Sequence, residues 1–236
     1  MGLDHVVIIV DDLAKGIEQY AARGFTVTPG GEHTHGNTHN ALITLDDDIY
    51  LELLAFKVAH ATSHRWERYR AFTGVIDYCL GYPSLSAALQ AINAHDLPYP
   101  AVVETGRLRP DGVALRWRSS QLADQERGLP FLIEDVTPRS LRVPGGPAAR
   151  HANGATGVVQ LEVLVRDLAR ARTDFSALLG SEGHTDGSAI LFGLDGIALR
   201  VVAPEPASAE GRLLAARGTG PWRLTLKQRE GPGIVL

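Results

Sequence analysis

The sequence predicts an α+β protein assembled from repeated βαβββ modules, and three observations lead there. The same local pattern recurs three times along 236 residues. Each repeat opens with an apolar strand that runs through a turn into a short amphipathic helix. Three further strand candidates, punctuated by turn residues, follow each helix.

The first unit begins with Leu3-Asp4-His5-Val6-Val7-Ile8-Ile9-Val10 and a helix over about Ala14 to Arg23, where Gly24 supplies a left-handed stop. Its later strands are Phe25 to Thr28, Ala41 to Leu45 and Ile49 to Phe56, the last two joined by Asp46-Asp47-Asp48. In the second unit Val75 to Leu80 leads through Gly81-Tyr82-Pro83-Ser84 into a helix with Leu85, Leu89 and Ile92 at helical spacing. Strands at about Ala101 to Thr105, Val113 to Ser119 and Pro130 to Glu134 follow. The third unit starts at Gln160-Leu161-Glu162-Val163-Leu164-Val165, with Ala171, Phe175 and Leu178 on one helix face and Gly180 as the stop. It continues through a weak strand at His184, then Ser188 to Phe192 and Ile197 to Val202. A tail carries helix-like Leu213 to Ala216 and one strand, Trp222 to Leu226. Each unit makes a curved sheet with its helix on one face and the other face open.

Composition narrows the function. Hydrophobic residues at 44% and charged residues at 21% describe an ordinary globular protein rather than a disordered one. A net charge of −4, without a basic stripe, argues against nucleic acid as a partner. One cysteine, Cys79, removes a disulfide framework and a multi-cysteine zinc site, and is expected to pack in a strand. No membrane-length apolar run and no signal peptide are visible, so the expectation is a cytoplasmic protein without membrane partners.

Several segments resemble the vicinal oxygen chelate superfamily, and more closely its glyoxalase-like branch: Leu3-Asp4-His5-Val6-Val7, Gly36-Asn37-Thr38-His39-Asn40-Ala41, Tyr50-Leu51-Glu52-Leu53, Arg109-Pro110-Asp111-Gly112 and Pro130-Phe131-Leu132-Ile133. The resemblance spans roughly residues 3 to 170. It implies that the modules at about 2–57 and 70–138 pair into one cup within a domain over 1–150, leaving a third module and tail over 155–236. It also implies metal ligands on the first and last strand of each module. Eight residues upstream of the helix-entry leucines Leu13, Leu85 and Leu168 lie His5, Asp77 and Gln160, and the last-strand equivalents are Glu52, Glu134 and Arg200. The expected metal set is therefore His5, Glu52 and Glu134, with Asp77 in a slot where His or Gln is usual. Oxygen-rich ligands of this kind suit Mn, Fe, Mg or Ni. Glu52, Glu134 and His39 are the expected catalytic groups, and no organic cofactor is expected. The competing reading is that polar residues keep these slots in a wet cup without a metal.

Two further segments point to substrate binding. The stretch from Gly30 to Asn40 holds His33, His35 and His39, and its glycines allow close backbone approach, so His33 and Asn40 are expected to contact a ligand. On an alternating strand Val113, Leu115 and Trp117 share one face, and Arg116 and Arg118 the other. With the apolar face on the helix, both arginines look into the cup towards an anionic group, and Trp117 flanks them. Alternatively, the arginines sit at a strand end and reach water. Trp66, Arg65, Arg68 and Arg70 are expected at an interface or surface. The unpaired third module suggests a homodimer, or packing on the first cup as a half-domain. Together these readings give a glyoxalase-like protein acting on a small oxygen-rich or anionic substrate as a metal-dependent lyase, isomerase or oxygenase. The alternative is a metal-free protein that binds and sequesters a small molecule.

Overall fold

The computed structural model describes residues 1–60 and 64–236. The first module runs β1 (Gly2–Ile9), α1 (Leu13–Ala22), β2 (Thr28–His33), β3 (Thr38–Thr44) and β4 (Tyr50–Phe56). The second runs β5 (Gly74–Gly81), α2 (Leu85–Asn93), β6 (Val103–Leu108), β7 (Ala114–Ser120) and β8 (Phe131–Asp135), followed by the short α3 (Arg139–Arg142). Part of the predicted glycine–histidine loop is thus strand, with β2 ending at His33. Side-chain oxygens of Asp12 and Ser84 cap the two long helices by accepting from Lys15 N and Ala87 N. Gly24, at φ 84°, makes the left-handed exit that the sequence predicts.

These eight strands close into a barrel in the order β1-β4-β3-β2-β6-β7-β8-β5. β1 and β5 meet antiparallel, while each pairs in parallel with its own module's last strand. The opposite seam is short: Glu32 pairs with Leu108, and His33 with Arg107. The open cup expected from single modules is therefore closed on both sides.

Alternation along β1 assigns the two faces. Val6 and Ile8 belong to the large core under the helices, whereas Val7 and Ile9 join a cluster inside the barrel with Leu54, Cys79, Phe131 and Ile133. Burial on both faces explains why β1 reads as a continuous apolar run.

The third module supplies β9 (Ala155–Leu164), α4 (Leu168–Leu179), β10 (His184–Asp186), β11 (Ala189–Leu194) and β12 (Ile197–Val202); the tail adds α5 (Ala209–Arg217), β13 (Gly220–Gln228) and β14 (Ile234–Val235). They form a six-stranded sheet in the order β10-β11-β12-β9-β13-β14. β9 pairs in parallel with β12 and antiparallel with β13, which repeats the arrangement of β1 between β4 and β5. The tail strand thus stands where the opening strand of a fourth module would stand, and β9 keeps no free edge. Sheet and barrel share one core, and Asp47 accepts from Val158 N across their junction. On the face of β9 away from α4, Glu162 accepts from Gln160 and Arg200, so these residues close on one another.

Leu224 and Leu226 on β13 are fully buried in the shared core. Leu224→Ala is expected to lower stability by about 2–5 kcal/mol in urea denaturation, as core truncations do. A loss below about 0.5 kcal/mol, the range of surface changes, would show that the tail is peripheral.

Candidate active site

One irregularity shapes the barrel interior. The β1–β5 register shifts between Leu3 and His5, and the extra residue, Asp4, is accommodated as a bulge. Asp4 and His5 are consequently both interior, at 2% and 3% exposure. Asp4 Oδ1 lies 2.6 Å from His5 Nδ1, and both Asp4 oxygens accept from Arg142 Nη1 and Nη2 at 2.8 and 2.9 Å. Arg139 adds a further bond to Asp4. Burial alone would raise the Asp4 carboxyl, but the charge and hydrogen bonds of Arg142 hold it well below the usual carboxylate range. An ionised Asp4 only accepts, so His5 Nδ1 carries a proton and Nε2 is the ring nitrogen presented to the cavity.

That cavity has a volume of about 220 Å³. Glu52 of β4 faces it and is held through one oxygen. Oε1 accepts from Asn40 Nδ2 at 2.6 Å and lies 3.5 Å from His33 Nε2, while Oε2 lies 3.6 Å from His5 Nε2. Arg107 of β6 donates to Asn40 Oδ1 at 2.9 Å and to the Arg142 carbonyl at 2.8 Å. His5 stacks on Tyr50 at 4.6 Å between ring centroids and meets the edge of Phe131 at 5.2 Å. His33, His35, His64 and Trp66 continue the ring-lined wall, with successive centroids 5.4, 5.1 and 5.2 Å apart. Trp117 stands edge-on to His33.

The structure brings together His5, His33, Asn40, Glu52 and Trp117 of the predicted site residues. It sends four others elsewhere. Glu134 points to the outer face, where Oε2 accepts from Leu85 N at the start of α2 and Oε1 accepts from Arg118. Its neighbour Ile133 is the residue that lines the cavity. Arg116 and Arg118 also point outward, to Glu104 and Glu134, the reverse of the predicted orientation. Here Trp117 and Ser119 are the inward pair, because the interior is itself ring-lined. His39 lies outside the cavity near Lys57, Glu32 and Asp12. Asp77 is occupied by Trp66 Nε1 at 2.6 Å and Arg65 Nη2 at 2.8 Å. Arg65 and Trp66, expected at a surface, instead line the cavity, as do His64, Tyr50, Arg107 and Arg142. No periodic signal marks Arg65 and Trp66, which arrive from the inter-module connection.

A closed barrel of two βαβββ modules around imidazole, carboxylate and guanidinium groups defines a small-molecule site on a vicinal oxygen chelate fold. The chain belongs to the glyoxalase-like domain family, whose model matches residues 3–179. No curated protein matches it. Among solved structures it is similar to a hypothetical protein from Staphylococcus aureus, at 13% identity, 86% coverage of each chain and a TM-score of 0.71. It is also similar to a xylose isomerase-like TIM barrel/4-hydroxyphenylpyruvate dioxygenase fusion protein, at 14% identity over 97% of this chain and 37% of that one, with a TM-score of 0.58. A Streptomyces coelicolor methylmalonyl-CoA epimerase matches at 21% identity over 58% of this chain and 99% of its own, with a TM-score of 0.44. At these identities the likenesses concern the fold alone.

The donor set can be tested against a divalent metal. Among the described residues one trio, Asp4, His5 and Cys79, brings three ligand atoms within 4.8 Å of one another. It fits an ion poorly. Asp4 is taken by Arg142, His5 Nδ1 is taken by Asp4, and burial pushes the Cys79 thiol well up, away from the thiolate that binds metals. With Glu134 outside, the predicted set shrinks to His5 and Glu52, two ligands where catalytic metal sites commonly use three.

Burial lowers His33 and His64 to about 4 and also lowers His35, so these imidazoles are neutral at neutral pH. An unfolded chain protonates His33 and His64 near pH 6.5, whereas the folded chain resists until about pH 4. The folded state therefore binds fewer protons in this window, and stability falls as pH drops through it. Between pH 7 and pH 5 the buried His33 is expected to remove about 2 kcal/mol, and the more exposed His64 less because solvent screens it, read by urea denaturation. The pH slope should flatten in His33→Gln/His64→Gln; an unchanged slope would assign it to other groups.

Proposed function

We propose that this protein is an enzyme that moves a proton at a carbon adjacent to a carbonyl, on a small anionic substrate held in the barrel. The observation that supports this best is the setting of Glu52. Asn40 fixes one of its oxygens, and the other faces a His5 whose tautomer is set by Asp4. A carboxylate placed in this way is a general base with its acceptor atom directed at the ligand.

In the step envisaged, Glu52 Oε2 takes the proton. The C–H electron pair shifts into the bond to the carbonyl carbon, and charge develops on the carbonyl oxygen. His33 is neutral, and in the tautomer whose Nδ1 accepts from Thr38 Oγ1, 2.8 Å away, its Nε2–H lies beside Glu52 Oε1 at 3.5 Å and can turn to that oxygen. Glu52 can pass the proton to His5 Nε2, where Asp4 offsets the imidazolium charge, as carboxylate–imidazole pairs do. Return of the proton to carbon gives isomerisation or epimerisation, and loss of a neighbouring leaving group gives a lyase. Neither outcome needs an oxidant. The mismatch between donor set and metal is the reason that no metal step is included.

Solvent deuterium exchange into a panel of small 2-oxo acids, followed by proton NMR, tests the reading. Glu52→Gln is expected to lower exchange by about 10²–10⁴-fold, as loss of a general base does. Chelator-treated protein should keep its rate. Exchange indifferent to Glu52→Gln would remove Glu52 as the base, and activity lost to chelator and restored by one divalent ion would replace the scheme with a metal-dependent one. Binding without exchange would favour the sequestering role.

A further inference from the structure

The barrel cavity has an unusual lining. The chain holds 3 tryptophans, 6 tyrosines and 6 phenylalanines, yet two of the tryptophans, Trp66 and Trp117, line this one small space with Tyr50 and Phe131. Counting the imidazoles, eight of its seventeen lining residues carry flat rings, and Ile133 is the one purely aliphatic side chain. Rings of this kind select flat partners, by stacking and by edge-to-face contact.

Its charges are equally selective. Three arginines line the cavity. Arg142 is consumed by Asp4 and Asp135, and Arg65 by Asp77 and Gln121. Arg107 differs. It is 3% exposed, and among the described residues it has no carboxylate within 4.0 Å: its Nη atoms donate to the neutral Asn40 Oδ1 and Arg142 carbonyl. Glu52 is linked to it only through the Asn40 amide. A buried guanidinium without a direct counter-ion is a costly arrangement, and an anionic ligand relieves it.

Size supplies the last constraint. At about 220 Å³ the space lies below the roughly 300–1,000 Å³ of sites for drug-sized ligands. One ring with a short acidic substituent fits, and a nucleotide or a long acyl chain does not.

We infer that the cavity takes a flat, single-ring aromatic acid, its ring against Trp66 and Trp117 and its carboxylate on Arg107. The inference rests on the proton-transfer reading of the same site and names its substrate class. Benzoate, cyclohexanecarboxylate and benzyl alcohol separate ring from charge. Titrated into the full chain by calorimetry, with tryptophan fluorescence as a second readout, benzoate is expected to bind. The flexible-ring acid and the uncharged alcohol are each expected to bind at least about tenfold more weakly. Arg107→Gln should weaken benzoate by a similar factor and leave benzyl alcohol unchanged. Because Arg107 also holds Asn40 and the Arg142 carbonyl, circular dichroism must show that this variant folds; the ligand series on the unaltered protein decides the matter in any case. Equal affinity for the two acids overturns the aromatic selection, equal affinity for benzoate and benzyl alcohol overturns the role of Arg107, and absence of benzoate binding overturns the whole inference. Binding is read without turnover. Exchange into aliphatic 2-oxo acids with no benzoate binding would therefore sink the substrate class alone, and benzoate binding without any exchange would sink the proton-transfer reading alone.

Discussion

A single buried ion pair organises this molecule. The bulge in β1 places the Asp4 carboxylate inside the barrel, where an unpaired charge is costly and must be met. Arg142 meets it with two parallel hydrogen bonds, a geometry that guanidinium and carboxylate share. To do so α3 must fold against the end of the barrel, and it brings Arg142 onto Asp135 and the Tyr50 hydroxyl as well. The Arg142 carbonyl in turn fixes Arg107. From one irregular residue in the first strand follow the tautomer of His5, the seat of the segment after β8 and the placement of a second guanidinium.

Much of this fold is legible in the sequence because repetition and alternation are strong signals. The apolar runs, the helix-entry leucines and Gly24 mark the modules, and His5 and Glu52, the slots that the family resemblance implies, both line the cavity. The errors share a physical cause. Assigning a strand face from its apolar side presumes that apolar means helix-facing, and in a barrel lined with rings Trp117 turns inward while Arg116 and Arg118 turn out. Glu134 fails by one position, since Ile133 holds the inward place and the carboxylate instead satisfies an unpaired N–H at the start of α2. Arg65 and Trp66 carry no periodic signal at all. Only tertiary packing brings these two side chains to the cavity wall.

The third module shows how an odd repeat is accommodated. A sheet with β9 at its edge would expose unpaired backbone groups. β13 takes up that edge antiparallel, as β5 does beside β1, so one strand of a missing module is enough to finish the ladder. The packing is intramolecular: Arg217, at the end of α5, donates to the Val75 carbonyl on β5. On the face of this sheet away from α4 the polar side chains pair among themselves around Glu162, whereas in the barrel Glu52 keeps an oxygen directed at the cavity. The two sheets share a plan, and the barrel turns its carboxylate towards a cavity.

That difference depends on a spacer. Glu52 and Arg107 are opposite charges in one interior, and in direct contact they would neutralise each other and leave neither for a ligand. Asn40 stands between them, donating to Glu52 and accepting from Arg107, so each is held in place while one carboxylate oxygen and the guanidinium Nε remain uncommitted. The arrangement needs room that a side chain at position 30 would remove. A Cβ on Gly30 would fall 2.0 Å from Asn40 Oδ1 and 2.4 Å from Arg107 Nη1. Gly30 is required here for space rather than for an unusual backbone angle. A buried carboxylate and a buried guanidinium can therefore coexist in the barrel because one glycine on β2 makes way for the amide that separates them.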